Sequence, residues 1–235
     1  MTTSVTLPLC AIGIAVLAAA ADAPRPGGAA PPAQDAGGWK LLFDGKTTAG
    51  WHNYKQTGPV QGWGVVDGAL VRQGKGGDLV SDEEFSDFEL SLEWKLPPGG
   101  NSGIFYRAPE DAAVIWHHAI EYQLLDNAAH NDGKNQKRST GAAYDMYEPA
   151  RDVTKPIGEW NETRIIARGN HVEHWLNGTK LLEFEIGSPS WNERFALSKF
   201  KPYPEFGKTQ KGKISLQDHN NVVSFKNIKI RPITS

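Results

Sequence analysis

Acid, base and amide side chains are concentrated in residues 120–144, IEYQLLDNAAHNDGKNQKRSTGAAY. The segment begins with the alternation of a β-strand, which places Glu121 and Gln123 on one face. A bulge at residues 124–125 would turn Asp126 back to the same side. Two carboxyl groups and an amide held by one strand could perform hydrolysis or proton transfer in a groove. The other interpretation is a solvated strand face.

The loop after this strand carries further polar side chains in a Gly- and Asn-rich context, namely His130, Asp132, Tyr144 and Asp145. Loops of this kind often carry function. No cofactor is predicted, but Asp126, His130 and Asp132 are the weak candidates for a divalent cation, because a hard cation would accept both carboxylates. The histidines at 117 and 118, and at 171 and 174, would diverge on a strand.

Five residues elsewhere in the chain have two interpretations. Gln217 and His219 should share one strand face, where they either line the groove or form a hydrogen-bonded turn. Asn101 could contact sugar hydroxyl groups or serve a turn. Arg107 could hold a hydroxyl or carboxylate group or make a surface ion pair. The indole of Trp116 could stack on a sugar or belong to the core.

These residues must be positioned by many short strands. Asp67-Gly68 and Asn177-Gly178 each stand between two alternating runs and predict hairpins with type I′ turns. Residues 85–96, FSDFELSLEWKL, form the clearest strand, and no helical periodicity of any length is present. The pattern predicts one all-β sandwich or barrel domain over residues 39–232.

Residues 7–20, LPLCAIGIAVLAAA, form an apolar run that is typical of a signal peptide covering residues 1–23. Residues 24–38, rich in Ala, Pro and Gly, are interpreted as a disordered linker. We therefore expect export to the periplasm or medium and, since the only cysteine is Cys10, a mature chain without a disulfide. The run is too short for a confident membrane span, and a net charge of -2 favours neither a nucleic-acid nor an anionic-membrane partner.

The ordered motifs NSGIFYR, EYQLLD, GAAYDMY, GEWNETRI, HWLNG, SKF and GKISLQDHNNVVSFKNIKI resemble the 3-keto-disaccharide hydrolase domain, a secreted bacterial family. The resemblance covers nearly the whole mature chain. It implies a concanavalin A-like jelly-roll sandwich of two curved antiparallel sheets, whose concave sheet forms a groove for an oligosaccharide or glycoside. It leaves the oligomeric state open.

A more distant resemblance is to glucanases of this fold class, which carry E-x-D-x-x-E on a bulged strand. The present chain has Glu121, Gln123 and Asp126 at the same spacing. The nucleophile position is kept, but the helper has lost its charge and the acid is one methylene shorter. Ordinary retaining hydrolysis needs two carboxyl groups about 5 to 5.5 Å apart, so these substitutions argue against that mechanism.

A ketone at C3 acidifies the proton on C2, so a 3-keto glycoside can be cleaved by elimination at C1–C2 followed by hydration. This chemistry needs a base, an acid for the leaving group and donors for the enolate. The candidates are Glu121 or His130 as the base, Asp126 or Asp145 as the acid, and Gln123, Tyr144 or Lys199 as the group that polarises the carbonyl. The alternative function is a non-catalytic carbohydrate-binding module on the same sandwich.

Overall fold

The computed structural model describes residues 1–3 and 37–233. The predicted signal peptide and linker therefore lie, apart from residues 1–3, 37 and 38, outside the described residues. In these described parts no helix combines the length and apolarity needed to cross a bilayer. The strands in chain order are β1 Lys40–Leu41, β2 Trp51–Asn53, β3 Trp63–Val66, β4 Ala69–Arg72, β5 Leu79–Phe85, β6 Phe88–Lys95, β7 Asn101–Ala108, β8 Ile120–Leu125, β9 Asn161–Arg168, β10 His171–Leu176, β11 Thr179–Glu185, β12 Gly212–Leu216 and β13 Ser224–Pro232.

The strands form two antiparallel sheets that pack as a jelly-roll sandwich, which confirms the predicted fold class. One sheet has the order β11-β10-β9-β6-β13-β4-β3, with β1 also paired to β13. The other has the order β2-β5-β12-β7-β8. Because β7 and β8 form one end of this second sheet, their polar residues lie beside the loop that follows β8.

The core lies between the sheets and follows from the period of two in the strands. On β6, Phe88, Leu90, Leu92 and Trp94 are all buried, as the alternation predicted. The predicted strand over residues 85–96 is interrupted, however. A turn at residues 86 and 87 divides it into the end of β5 and the whole of β6, and these two strands belong to different sheets.

Two hairpin turns confirm the Asp-Gly and Asn-Gly signals. Asp67 and Gly68 have φ values of 49° and 76°, and Asn177 and Gly178 have φ values of 48° and 77°. Positive φ at both central residues defines the type I′ turn, whose twist matches that of the flanking strands. These turns fix the β3-β4 and β10-β11 pairings.

One helix, α1 Pro189–Leu197, contradicts the expectation of no helix of any length. Its start is specified locally, because the hydroxyl of Ser188 accepts a hydrogen bond from the main-chain N–H of Trp191 and Pro189 occupies the first turn. Short 3-10 turns at Ile115–His117, Asn131–Lys134 and Gln136–Arg138 complete the helical segments of the described chain. The α1 helix matters for function because Lys199 follows it directly.

The predicted bulge in β8 is absent. The register between β7 and β8 runs without a shift from Tyr106 opposite Ile120 to Asn101 opposite Leu125. Regular alternation therefore continues to the end of the strand, with Tyr122 and Leu124 in the core. A bulge was needed to bring Asp126 beside Glu121, so the regular register leaves Asp126 elsewhere.

A buried histidine joins the two sheets and gives a stability prediction. His174 is fully buried, its Nε2 accepts from the hydroxyl of Tyr106 at 3.0 Å, and its Nδ1 donates to the carbonyl of Gly141 at 3.0 Å. Burial lowers the pKa of His174 from 6.5 to about 4. The unfolded chain therefore binds more protons than the folded chain between pH 6.5 and 4. We expect the free energy of unfolding to decrease by roughly 3 kcal/mol as the pH is lowered from 6.5 to 4.

Urea unfolding at intervals between pH 4 and 7.5 measures this loss. The variant His174→Gln should lose the corresponding part of the pH slope, whereas His171→Gln, which changes a partly exposed histidine of the same strand, should keep it. An unchanged slope in His174→Gln would show that another group causes the acid sensitivity.

Candidate active site

The candidate site lies on the outer face of the five-stranded sheet, opposite to the face that packs on the core. Directly paired residues of antiparallel strands share a face, so the registers define which side chains lie together. Extending the observed registers to the strand ends gives three rows on this face: Val80, Ser215, Phe105 and Glu121; Asp78, Gln217, Gly103 and Gln123; and His219, Asn101 and Leu125. Polar side chains are the majority in the last two rows.

Glu121 is the central carboxyl group of this face. Its side chain leans across β7, because a Cβ atom added to Gly103 would stand 2.2 Å from Oε1 of Glu121. The residue is 5% exposed, and a hydrogen bond from the side chain of Gln217 acts to lower its pKa. Burial, more than any neighbouring charge, raises the pKa of Glu121 from 4.5 to about 8. Lys199 opposes this rise, and Asp78 adds to it.

The floor around Glu121 contains amide and hydroxyl groups that are only partly hydrogen-bonded. Nε2 of Gln123 donates to Oδ1 of Asn101 at 3.0 Å, so the predicted pair lies side by side. Three buried oxygen atoms have no partner, namely Oε1 of Gln123, Oγ of Ser215 and Oε1 of Gln217. Buried polar atoms are normally hydrogen-bonded, so these three unpaired oxygen atoms are suited to a ligand rich in hydroxyl groups.

Two histidines border the floor at the start of β7, next to Asn101. Nδ1 of His130 accepts from the main-chain N–H of Asp132 at 3.1 Å, and Nε2 lies 3.4 Å from Nδ2 of Asn101. A neutral ring cannot accept a hydrogen bond at both nitrogens, so one of these two contacts is not a hydrogen bond to the neutral ring. The ring of His219 faces that of His130 edge to face, at a centroid distance of 6.4 Å. The structure thus brings both predicted histidines to one border of the groove.

Lys199 forms the border near Glu121. Its ammonium lies 4.2 Å from the ring centroid of Tyr144, 4.9 Å from that of Trp116 and 5.1 Å from that of Phe200. The main-chain N–H of Lys199 donates to Oδ2 of Asp145 at 2.8 Å. Partial burial lowers the pKa of Lys199, and the charge of Glu121 opposes this shift. The aromatic rings hold the ammonium by cation–π attraction.

A network of charged groups fixes the loop that follows β8. The hydroxyl of Tyr144 donates to Oδ2 of Asp132 at 2.8 Å. Nε of Arg138 donates to Oδ1 of Asp145 at 2.8 Å, while another nitrogen of Arg138 lies 3.5 Å from Asp132. Asp145 adopts a φ of 58°, in the left-handed region. Both its oxygens are engaged, so Asp145 positions Arg138 and the Lys199 main chain.

The structure does not bring Asp126 into the groove. Oδ2 of Asp126 accepts from the main-chain N–H of Gly99 at 2.8 Å, and Oδ1 accepts from those of Ala128 and Ala129 at 3.2 Å. The bond from Gly99 is the largest of the causes that lower the pKa of Asp126. The residue lines a separate cavity of about 340 Å³ together with Trp94. It therefore anchors the loop.

Arg107 is also separate from the groove. Its guanidinium donates to the carbonyls of Ser86 and Gly169, both at 2.7 Å, and to Oδ1 of Asp87 at 3.1 Å. The contact with Asp87 is an ion pair, as the second interpretation of Arg107 predicted, but Arg107 itself is only 3% exposed. It ties the end of β7 to two turns.

The weak metal candidates do not converge either. The carboxyl groups of Asp126 and Asp132 are engaged as described above. Among the described residues, the side chains spaced as metal ligands are instead His171, Glu173 and Glu183, which belong to the eight-stranded sheet.

Asp78 is a groove residue that the sequence analysis missed. It stands directly before β5, and its Oδ1 accepts from the main-chain N–H of Asp218 at 2.8 Å. Burial raises the pKa of Asp78 from 3.8 to about 6. The alternation of Asp78 with Val80 was the available signal, but residues 76–78, Gly-Gly-Asp, resemble an ordinary turn.

Comparisons with known proteins agree on one kind of protein. Residues 38–231 match the family described as the 3-keto-alpha-glucoside-1,2-lyase-like domain. A 3-keto-disaccharide hydrolase from Bacteroides thetaiotaomicron is 34% identical over 229 residues, covering 84% of this chain and 79% of the relative. A crystal structure from Parabacteroides distasonis, named as a candidate glycosyl hydrolase, has 36% identity and a TM-score of 0.78, covering 85% of this chain and 95% of the other.

A carbohydrate-binding module from Bacillus subtilis shares only the fold, with 14% identity and a TM-score of 0.50 over 77% of this chain and 95% of the module. The sandwich, its polar groove and the relatives together define a glycoside-acting enzyme. The chain belongs to the 3-keto-alpha-glucoside-1,2-lyase-like domain family. The family predicted from the sequence motifs is thereby confirmed.

Proposed function

We propose that this enzyme cleaves the glycosidic bond of 3-keto glycosides by elimination at C1–C2 followed by hydration. The observation that carries the proposal is the Glu121 carboxyl group, which is buried and lies next to the side chain of Gln217 and the positive charge of Lys199. A carboxylate with a raised pKa is a stronger base than an ordinary one, which removal of a proton from carbon requires.

The hydrogen bonds favour Glu121 over His130 as the base. Both ring nitrogens of His130 already lie against protein donors, namely the main-chain N–H of Asp132 and Nδ2 of Asn101. We therefore assign His130 to contact with a sugar hydroxyl group rather than to proton removal. Glu121 has a carboxyl group whose pKa is raised by burial, and it takes the proton from C2.

The enolate that forms at C3 needs a positive charge or hydrogen-bond donors. The hydroxyl of Tyr144 already donates to Asp132, which occupies its only proton. Lys199 has three N–H donors, and the aromatic rings hold its ammonium beside Glu121. We therefore assign Lys199 to the enolate oxygen and Gln123, with Asn101, to neighbouring hydroxyl groups.

The experiment compares a disaccharide with its 3-keto derivative in deuterated water. Free sugar is quantified, and deuterium at C2 is followed by NMR or mass spectrometry. Elimination predicts cleavage of the keto form alone, with deuterium at C2 of the product. Cleavage of the unmodified disaccharide without label would establish direct hydrolysis, and binding without cleavage of either sugar would establish a binding module.

We further propose that the protein is exported, on the basis of the apolar residues 7–20 and the small residues that follow them. Expression in a bacterial host with fractionation tests this. A mature N-terminus close to residue 24 in the periplasm or medium supports export, and an intact N-terminus in the cytoplasm contradicts it.

A further inference from the structure

The two sequence candidates for the leaving-group acid are both engaged in structural hydrogen bonds. Asp126 accepts three main-chain N–H groups, and Asp145 accepts from Arg138 and from the N–H of Lys199. An acid must carry a proton that points to the substrate. Since neither carboxyl group meets this condition, the glycosidic oxygen needs another donor in the groove.

Asp78 shares a cross-strand row with the residues around Glu121. The order in this row is Asp78, Gln217, Gly103 and Gln123 on four adjacent strands, and the carboxyl group of Glu121 lies over Gly103. Adjacent strands are about 4.8 Å apart, so the main chain of Asp78 is about 10 Å from that of Gly103. The side chain of Gln217 lies between the two carboxyl groups, and a sugar ring lying over it would contact both.

The surroundings of Asp78 fit an acid. Oδ1 accepts the main-chain N–H of Asp218, whereas Oδ2 has no hydrogen-bond partner among the described residues. The residue is partly buried, and burial raises its pKa to about 6. Its charge also contributes to the raised pKa of Glu121, which agrees with their proximity. Two carboxyl groups that share a groove divide the roles of acid and base when their environments differ.

We propose that Asp78 is the acid that protonates the departing glycosidic oxygen, an inference that rests on the proposed elimination. Glu121 takes the proton from C2, the resulting enolate forms the C1–C2 double bond, and the C1–O bond breaks as Oδ2 of Asp78 gives its proton to the leaving oxygen. In the hydration step water adds to C1, Asp78 recovers a proton from that water, and Glu121 returns a proton to C2.

The variant Asp78→Asn tests this role with two kinds of leaving group. Asn keeps an oxygen for the N–H of Asp218 but has no proton to transfer. For 3-keto disaccharides we expect kcat to fall by at least about 100-fold, and for 4-nitrophenyl 3-keto-glucoside, whose leaving group needs no protonation, by less than about tenfold. Exchange of the C2 proton with deuterated water should continue in the variant, because Glu121 performs it.

The matched control is Asp82→Asn, which removes an exposed carboxyl group from β5, the strand that follows Asp78, and should leave both rates unchanged. Equal losses with both leaving groups, or no loss with either, would overturn the role of Asp78. Either outcome is distinguishable from a failure of the proposed elimination, because in that case the wild-type enzyme itself would give a product without deuterium at C2. Continued C2 exchange also establishes that the Asp78→Asn protein is folded.

Discussion

Replacing Glu121 with Gln is expected to lower kcat for a 3-keto disaccharide by about 10²- to 10⁴-fold, the usual contribution of a general base. The same change is expected to stabilise the fold at neutral pH. The folded carboxyl group has a pKa of about 8 against an ordinary 4.5, so the folded state binds more protons between these values. The free energy of unfolding of the wild-type protein therefore decreases as the pH rises through this window. The Gln variant does not ionise, so it avoids this decrease, which amounts to at least about 1 kcal/mol at pH 8.

Steady-state rates and urea unfolding at pH 5 and pH 8 measure both effects. The gain in stability should be larger at pH 8 than at pH 5. The variant Glu84→Gln, at an exposed position on β5, is the control and should change neither quantity. Near-normal rates would remove Glu121 from the catalytic residues, and a gain of equal size at both pH values would show that its pKa is not raised.

The second large effect is expected from Gly103→Ala. The backbone of Gly103 does not have a positive φ, so Ala can adopt the strand conformation, but its Cβ would stand 2.2 Å from Oε1 and 2.8 Å from Cγ of Glu121. The carboxyl group must move by more than 1 Å to relieve this contact. A displacement of that size can cost about 100-fold in rate, and we expect such a loss in kcat with the fold retained.

Gly74→Ala is the matched control, because a Cβ there meets no atom within 4 Å and the backbone is unstrained. Circular dichroism and kcat are compared for the two variants. A second comparison places Gly103→Ala in the background of Glu121→Ala, which lacks the Cγ and the carboxyl group that the added Cβ would meet. The cost of the alanine should shrink in that background, and an undiminished cost would mean that Gly103 acts through something other than Glu121.

The local pattern of β8 was sufficient to predict that Glu121 and Gln123 share a face, because alternation depends only on neighbours along the strand. The position of Asp126 was not predictable in this way, since it depends on main-chain donors from the turn at Gly99 and on the regular register with β7. The prediction relied on a bulge at residues 124–125, which the structure does not contain.

Contacts between strands of the sheet could not be predicted from the sequence either. Asp78 joins the groove only because β5 and β12 place it opposite Gln217, and four strands separated in sequence form that row. The lean of Glu121 depends on the absence of a side chain at Gly103, on a different strand. The position of Lys199 depends on α1, whose capping signal at Ser188 and Pro189 was present in the sequence but too short to show helical periodicity.

Asp145 has a consequence for protein engineering. Its single carboxyl group holds Arg138 in the loop after β8 and the main chain of Lys199 in the segment after α1. The two segments are more than 50 residues apart in sequence yet are fastened to one another through this group. A chimaera that receives a foreign loop at residues 126–145 would therefore also need the matching segment around Lys199. If only one of the two segments were exchanged, the contacts that position Arg138 and the main chain of Lys199 would be lost.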